Sequence, residues 1–218
     1  NLLSIGTLGI VYGTVFSVED FRSYFIYLGL GLVVWNTLSA SIANAPQLFA
    51  HNASNIRNMN LNPLFYTLEE WSFQIQTFLQ SFILVFFVMI FLKLPILSNL
   101  LLYSWIPFFN FFIFIYWFPL IICLVSVRYT DIAQLVPIVL QLVFLTSPIL
   151  YRKETLGSLS WITNVNFIYQ VLDPLRECLI EGYVNYQNSI VLLVFNLIGL
   201  LCTLNFLNSE SKRLPFLL

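Results

Sequence analysis

Charged residues are scarce in this sequence, and their scarcity excludes a water-soluble domain. The 218 residues include 9 Lys and Arg and 10 Asp and Glu, so that only 9% are charged and 59% are hydrophobic. Soluble domains usually contain about 25% charged residues. The net charge of -1 provides no basic surface, and we therefore expect no nucleic-acid partner. High hydrophobicity with a low net charge also excludes a disordered chain.

Residues that build catalytic and metal sites are also few. His51 is the single histidine, which excludes a His-based metal site and a Ser-His-Asp triad. The three cysteines are scattered, at Cys123, Cys178 and Cys202, and no Gly-Lys dipeptide exists to form a phosphate-binding Walker A loop. We therefore expect that this chain is not an enzyme and has no catalytic residues, metal site or cofactor.

Long apolar runs dominate what is present. A helix needs about 20 apolar residues to cross a bilayer, and six runs meet or approach this length without containing a charge. Backbone groups in lipid must be satisfied internally, which makes these runs helices. The sequence therefore predicts an all-α polytopic membrane protein with six transmembrane helices. The predicted spans are 2–16, 25–50, 71–92, 101–127, 132–150 and 190–207.

The connection 151–189 precedes the last span and is not a simple loop. Apolar residues recur at helical spacing from Ile168 to Leu179, and charged residues occupy the other positions. Asn166 fits an N-cap and Gly182 a helix end. This segment is too short and too charged to span, and it predicts a re-entrant or interfacial helix. The chain starts at Asn1, already within an apolar run, so we expect an N-terminal segment to be missing.

Polar and aromatic side chains within the spans suggest a conduit. Amides in lipid are unfavourable unless they are hydrogen-bonded or face water, so those of the fifth span indicate either interhelical bonding or a hydrated path. Aromatic rings inside the first two spans either pack in the core or stack on sugars. The candidate conduit residues are Tyr12, Tyr27, Trp35, Gln134 and Gln141. Trp117 is among the aromatics near predicted membrane interfaces, and Gly9 and Gly13 form a G-x-x-x-G pair for close helix packing, a dimer contact or a pore-lining groove.

Four sequence segments, in order along the chain, resemble one family. They are Leu8–Gly13 with Phe25–Trp35, Asn52–Arg57 followed by Leu61–Leu64, Arg128–Ile132, and the set Asn166, Tyr169, Asp173 and Arg176. Together they resemble the permease subunit of type-2 ABC exporters, in particular the group that exports O-antigen, capsule and teichoic acid polysaccharides. The resemblance covers residues 1–218 as a single transmembrane domain.

The resemblance implies partners and an orientation that the loop charges leave open. It implies a homodimer in the bacterial inner membrane, with cytoplasmic termini and two separate subunits that bind ATP and Mg. The implied substrate is a lipid-linked polysaccharide, as in lipopolysaccharide biosynthesis. Contacts with the ATP-binding subunits are implied for Asn52, Asn55, Arg57, Asn62, Pro63, Arg128 and Asp131. An extracytoplasmic gate region is implied for 151–189, with Asn166, Tyr169, Asp173 and Arg176 as its residues.

Two alternatives remain open from the sequence. One is a type-2 ABC exporter of a lipid, a drug or another small molecule. The other is a non-transport membrane subunit of polymer synthesis. The aromatic and amide-rich spans favour a sugar substrate.

Overall fold

The computed structural model describes residues 2–15, 20–58, 62–91, 96–211 and 213–218, and these residues form helices with no strand among them. Residues 16 and 92, which end two of the predicted spans, lie outside this description. The helices are α1 (Leu2–Val15), α2 (Phe21–Asn44), α3 (Leu48–His51), α4 (Ala53–Asn58), α5 (Leu64–Phe91), α6 (Ile96–Tyr103), α7 (Trp105–Ser126), α8 (Ile132–Thr146), α9 (Trp161–Val165), α10 (Phe167–Ile180), α11 (Tyr186–Glu210) and α12 (Leu214–Leu217).

Membrane-crossing length is reached by four segments of the described chain. They are Phe21–His51, Leu64–Phe91, Trp105–Ser126 and Tyr186–Glu210, and the apolar helices Ile5–Val15 and Ile132–Thr146 are shorter. These six helices correspond to the six apolar runs, so the predicted all-α polytopic fold is confirmed. The short helix predicted before the last span is α10, whose N-cap is Asn166 and which ends before Gly182.

The helix bounds differ from the apolar runs in two places. The run 101–127 is divided between α6 and α7, which meet at Ser104. The predicted fifth span extends to residue 150, but α8 ends at Thr146, and Ser147 has an extended backbone with ψ 133. A residue before proline is disfavoured in the helical region, and Pro148 follows. Residues 147–150, three of them apolar, therefore lie outside the helix and form an irregular segment.

Helix α2 is the centre of the bundle, with α1, α5, α7, α8 and α10 packed around it. The glycines of α1 allow α2 to approach closely. A Cβ atom on Gly9 would lie 2.8 Å from the Phe25 ring, and one on Gly13 would lie 2.7 Å from the Phe21 ring. The G-x-x-x-G pair therefore serves packing within one chain, the first of the three roles that the sequence left open.

Helix α11 packs against α7 through a buried polar group. The Asn196 amide donates to Asn110 Oδ1 at 3.0 Å, and the Trp117 indole N–H donates to Asn196 Oδ1 at 3.1 Å. Asn196 is fully buried and Asn110 nearly so. Trp117, predicted among the aromatics near the membrane interfaces, is 8% exposed, and its ring lies against Gly199. A lone N–H donor in an apolar core needs an acceptor, and Asn196 supplies it.

Candidate functional site

Arg176 is the centre of a buried cluster at the end of the bundle that carries α10. The side chain is 2% exposed, and its Nη2 lies 2.7 Å from Asp173 Oδ1. Nη1 donates to the Pro148 carbonyl at 3.1 Å, and the guanidinium carbon lies 3.7 Å from the centre of the Tyr27 ring. A guanidinium removed from water is stable only with such partners. The Tyr27 ring contact joins α10 to α2, the hydrogen bond joins α10 to the segment after α8, and the ion pair within α10 compensates the charge.

The irregular segment after α8 is held by two tyrosines of α2. The Tyr24 hydroxyl donates to the Leu150 carbonyl at 2.6 Å. The Tyr27 hydroxyl lies 3.1 Å from each of the carbonyl oxygens of Pro148 and Tyr151. Irregular backbone at membrane depth is tolerated only where protein groups satisfy its polar atoms. These tyrosines therefore tie the end of α8 to the start of α2.

Asn166 completes the connection between α8 and α10. Its Oδ1 accepts the Tyr169 backbone N–H at 3.1 Å, which caps the first turn of α10. Its Nδ2 donates to Ser147 Oγ at 2.7 Å. Tyr169 in turn accepts a hydrogen bond from Arg176 Nη2 at 3.3 Å. The structure thus brings the predicted gate residues Asn166, Tyr169, Asp173 and Arg176 into one connected group; their action as a gate stays a prediction.

The predicted conduit residues do not form one group. Tyr27 belongs to the Arg176 cluster, and Trp35 is 7% exposed and packs against the Phe144 ring at 5.3 Å. Tyr12 is half-buried on α1. Gln134 and Gln141 lie on the exposed face of α8, and neither side chain forms a hydrogen bond within the described part of the chain. The two glutamines, rather than the aromatic rings, are therefore open to a substrate or to another subunit.

The opposite end of the bundle carries the short helix α4. Ile56 is its buried residue, 2% exposed, in a cluster with Phe49 and Leu214. Asn55 and Arg57 lie on the exposed side of α4. A surface helix with one buried anchor and two exposed polar residues suits a contact with another subunit.

Three further coupling residues shape the chain around α4. The Asn52 amide donates to the Leu48 carbonyl at 2.9 Å and so closes α3. Asn62 Oδ1 accepts the Leu64 backbone N–H at 3.0 Å at the start of α5, and Pro63 is buried beside it. Their side chains therefore support the local backbone.

The turn between α7 and α8 is tied to the end of α11. Arg128 Nη2 lies 2.8 Å from Glu210 Oε1, and Arg213 Nη1 lies 3.6 Å from the same oxygen. Glu210 is 8% exposed, and α12 just beyond it packs against α4. Asp131, at the other end of the turn, is exposed and accepts backbone hydrogen bonds at the start of α8. The predicted coupling segments therefore meet through α11 and α12.

Two structural features were not predicted from the sequence. Glu210 lies just beyond the predicted last span, and its position three residues before Arg213 was the available signal. The group of Asn110, Trp117 and Asn196 had no signal, because its members are 79 and 86 residues apart. Long-range amide pairs of this kind carry no periodicity.

Most of the bundle is matched by a known protein family. The family model described as ABC-2 type transporter matches residues 1–180. This match includes α1 to α10, and with them the Arg176 cluster and the α4 segment. No curated protein matches the sequence.

Proposed function

The chain belongs to the ABC-2 type transporter family, and from that premise we propose that it exports a lipid-linked polysaccharide across the bacterial inner membrane. Members of this family are multi-pass permease subunits that associate with separate ATP-binding subunits. The proposal adds the substrate class, the homodimer and the orientation. In this orientation α4 and the chain ends are cytoplasmic, and α10 is extracytoplasmic.

The exposed face of α8 is the observation that carries the proposed substrate. Helix α8 has 15 residues, about 22 Å of helix, which is less than the roughly 30 Å of a bilayer core. Gln134 and Gln141 are seven residues apart on this face and unbonded within the described residues. Amide groups facing lipid are unfavourable, whereas amide groups facing a hydrated path can exchange hydrogen bonds with sugar hydroxyls. A conduit for a glycan accounts for both the short helix and its amides.

A second copy of the chain would enclose this face. Leu135, Ile138, Leu142 and Leu145 are exposed beside the glutamines, and they provide an apolar border. We expect two copies to meet through such apolar borders, with Gln134 and Gln141 directed towards the shared conduit. Two ATP-binding subunits would then lie against the two α4 segments.

ATP binding in these subunits would act through α4 and the Arg128 turn. Asn55 and Arg57 are the exposed residues of α4, and α12 joins α4 to the Glu210 end of α11. Displacement of α4 would therefore move α12, the end of α11 and the turn together. Rigid-body helix movements of this kind are a common form of coupling. At the far end, the Arg176 cluster would act as the gate of the conduit.

Glutamine substitutions provide the test of this proposal. The full chain is co-purified with its ATP-binding subunits, and ATP turnover is measured with and without lipid-linked glycan from producing cells. The double variant Gln134→Leu, Gln141→Leu is expected to lose the glycan response. The matched control is Gln76→Leu, Gln80→Leu on α5, where two exposed amides also have no hydrogen bond within the described residues.

The outcomes separate the proposal from its alternatives. A glycan response that is lost only in the α8 variant supports export of a glycan through the α8 face. Equal loss in both double variants contradicts the assignment of the conduit to α8. Turnover that responds to plain lipid or to a drug, and not to glycan, indicates the alternative substrate class. A chain that binds no ATP-binding subunit indicates a role outside transport.

A further inference from the structure

Two adjoining cavities open beside α10, at the end of the bundle that carries the Arg176 cluster. The first has a volume of about 300 Å³ and lies between α10, the start of α2 and residues 152–153. The second has a volume of about 310 Å³ and lies between α10 and the residues that lead into α11. Both are lined by Lys153, Tyr169, Asp173 and Glu177. They therefore form one basin, which we call the α10 basin, within the size range of small-molecule sites.

The lining of the α10 basin is polar and mixed in charge. Carboxylates of α10 face cations of the 152–153 segment, and side-chain amides and tyrosine hydroxyls fill the remaining wall. By contrast, the cavity of about 410 Å³ between α6 and α7 is lined almost wholly by apolar side chains such as Leu101 and Phe108. The basin residues used below are Arg152, Lys153, Gln170, Glu177, Glu181 and Tyr183.

Glu177 is a basin residue whose carboxylate has no partner among the described residues. It lies where the two cavities meet, and it forms no ion pair or side-chain hydrogen bond with any described residue. Asp173, one turn earlier, is already paired with Arg176 at 2.7 Å. Burial, together with the charges of Asp173 and Glu181, raises the pKa of the Glu177 carboxyl to about 7. A half-buried carboxylate without a donor is unfavourable, and a ligand that supplies hydroxyl donors would satisfy it.

The lining selects among ligand classes. An acyl chain would leave the Glu177 carboxylate without a hydrogen-bond donor. A bound metal ion is disfavoured, since the described residues contain no group of three His, Cys, Asp or Glu side chains placed to hold one. An anion is disfavoured, because the carboxylates of Glu177 and Glu181 would repel it. A saccharide suits the lining, because its hydroxyls donate to carboxylates and accept from amides, lysine and arginine, and the exposed Tyr183 ring offers a flat apolar surface.

We propose that the α10 basin binds a saccharide unit of the exported glycan, with Glu177 accepting hydrogen bonds from its hydroxyls. This inference rests on the proposed function and extends it. The basin is an exit site next to the gate. Each glycan molecule occupies the basin as it leaves the conduit. Lys153 donates to the same unit, and Gln170, whose Nε2 donates to the Thr163 carbonyl at 3.0 Å, offers its Oε1 as an acceptor.

Cysteine protection tests this inference in the complete complex. The starting variant is Cys202→Ser, because Cys123 and Cys178 are buried and Cys202 is the exposed thiol. Glu181→Cys then places a thiol at an exposed basin residue while Glu177 is kept, and Tyr183→Cys, exposed in the same basin, serves if the first variant folds poorly. The control is Leu159→Cys, 51% exposed on the same end of the molecule and outside the basin lining. The rate of labelling by a membrane-impermeant maleimide is measured in the presence of ATP, with and without lipid-linked glycan from producing cells.

The expected result is a labelling rate at least fivefold lower at the basin cysteine when glycan is present, with no change at residue 159. ATP turnover, measured on the same samples, reports the proposed function separately. Glycan-stimulated turnover without protection in the basin overturns the exit site and leaves glycan export standing. If glycan neither stimulates ATP turnover nor protects the basin cysteine, both the exit site and the proposed glycan export are overturned. Equal protection at the basin and at residue 159 also overturns the exit site, because it indicates general shielding.

Discussion

Replacement of Arg176 by glutamine is the most direct test of the cluster that joins α10 to α2. The substitution removes the charge and shortens the side chain, so the contacts to Asp173 and Tyr27 are lost together. Asp173 then keeps a carboxylate that is only 17% exposed and has lost its cation. We expect the free energy of unfolding to fall substantially and α10 to loosen from the bundle.

The size of this effect follows from burial. An exposed ion pair one helical turn apart contributes about 0.3–0.5 kcal/mol. Arg176 is 2% exposed, and its Nη2 lies 2.7 Å from the carboxylate. Removal of one partner of a buried pair costs about 3–5 kcal/mol, because the other charge is left uncompensated. The expected loss for Arg176→Gln is therefore about 3–5 kcal/mol, roughly tenfold more than the same pair would give at the surface.

Arg152 offers a matched control for the measurement. It lies 5.9 Å from the same Tyr27 ring and donates to Ser23 Oγ at 3.2 Å, but it is exposed. Arg152→Gln is expected to change stability by about 1 kcal/mol or less, the range for an exposed cation over a ring. The assay is unfolding of the purified chain in micelles by added SDS, followed by tryptophan fluorescence. Both variants are compared with the unmodified chain at one pH.

A second variant separates the lost ion pair from lost packing. If the unpaired Asp173 carboxylate causes the loss, Asp173→Asn in the Arg176→Gln background should recover part of the stability. Equal, small losses of unfolding free energy for Arg176→Gln and Arg152→Gln would refute the reasoning. They would show that burial does not increase the contribution of the Arg176 ion pair to stability. A large loss that Asp173→Asn does not relieve would assign the effect to packing on Tyr27.

Three further predictions concern other parts of the molecule. Arg57→Glu should abolish the stimulation of ATP turnover by glycan without changing the unfolding free energy, whereas Arg22→Glu, exposed at the opposite end, should leave the stimulation intact. Asn196→Leu should lower the unfolding free energy by about 1–3 kcal/mol, because the buried Trp117 N–H loses its acceptor, and Trp117→Phe in that background should restore part of it. Glu177, outside the membrane-spanning helices, has its pKa raised from 4.5 to about 7, so the folded state binds its proton more tightly than the unfolded state. The unfolding free energy should therefore fall as the pH rises from 4.5 to about 7, and a Glu177→Gln variant that keeps the same slope would contradict this assignment.

The sequence was sufficient for the parts of the fold that composition and periodicity determine. Charge-free apolar runs located the six helices, and the amphipathic spacing from Ile168 to Leu179 located α10. The helix end at Thr146 was missed because Ser147 to Leu150 are as suitable for lipid as the residues before them. The local backbone effect of Pro148, and the tyrosine donors of α2, decide that ending.

The candidate sites could be predicted where their residues lie close together in the sequence, and not where they are far apart. The gate residues fall within eleven positions of one another, and helical spacing placed them on one element. Tyr27 joins them from more than 120 residues away, and no spacing rule could pair it with Arg176. The same limit applies to Trp35. Its position in the sequence is equally compatible with a conduit wall and with the buried contact with Phe144 that the structure shows.

Helix α2 connects the two ends of the molecule that the proposed mechanism requires to move together. At one end Tyr24 and Tyr27 hold the carbonyls that follow α8. At the other end the Asn44 amide donates to Glu70 Oε1 at 3.1 Å, close to the α3 and α4 segment. With 24 residues, α2 is a rod of about 36 Å, and its hydrogen bonds run to the segment after α8 at one end and to α5 at the other. Because a packed helix moves as a rigid body, displacement at the α4 end would shift the Tyr27 ring under Arg176. ATP-driven movement would therefore reach the gate through α2, and the loss of the Arg176 contact should uncouple glycan export from ATP turnover.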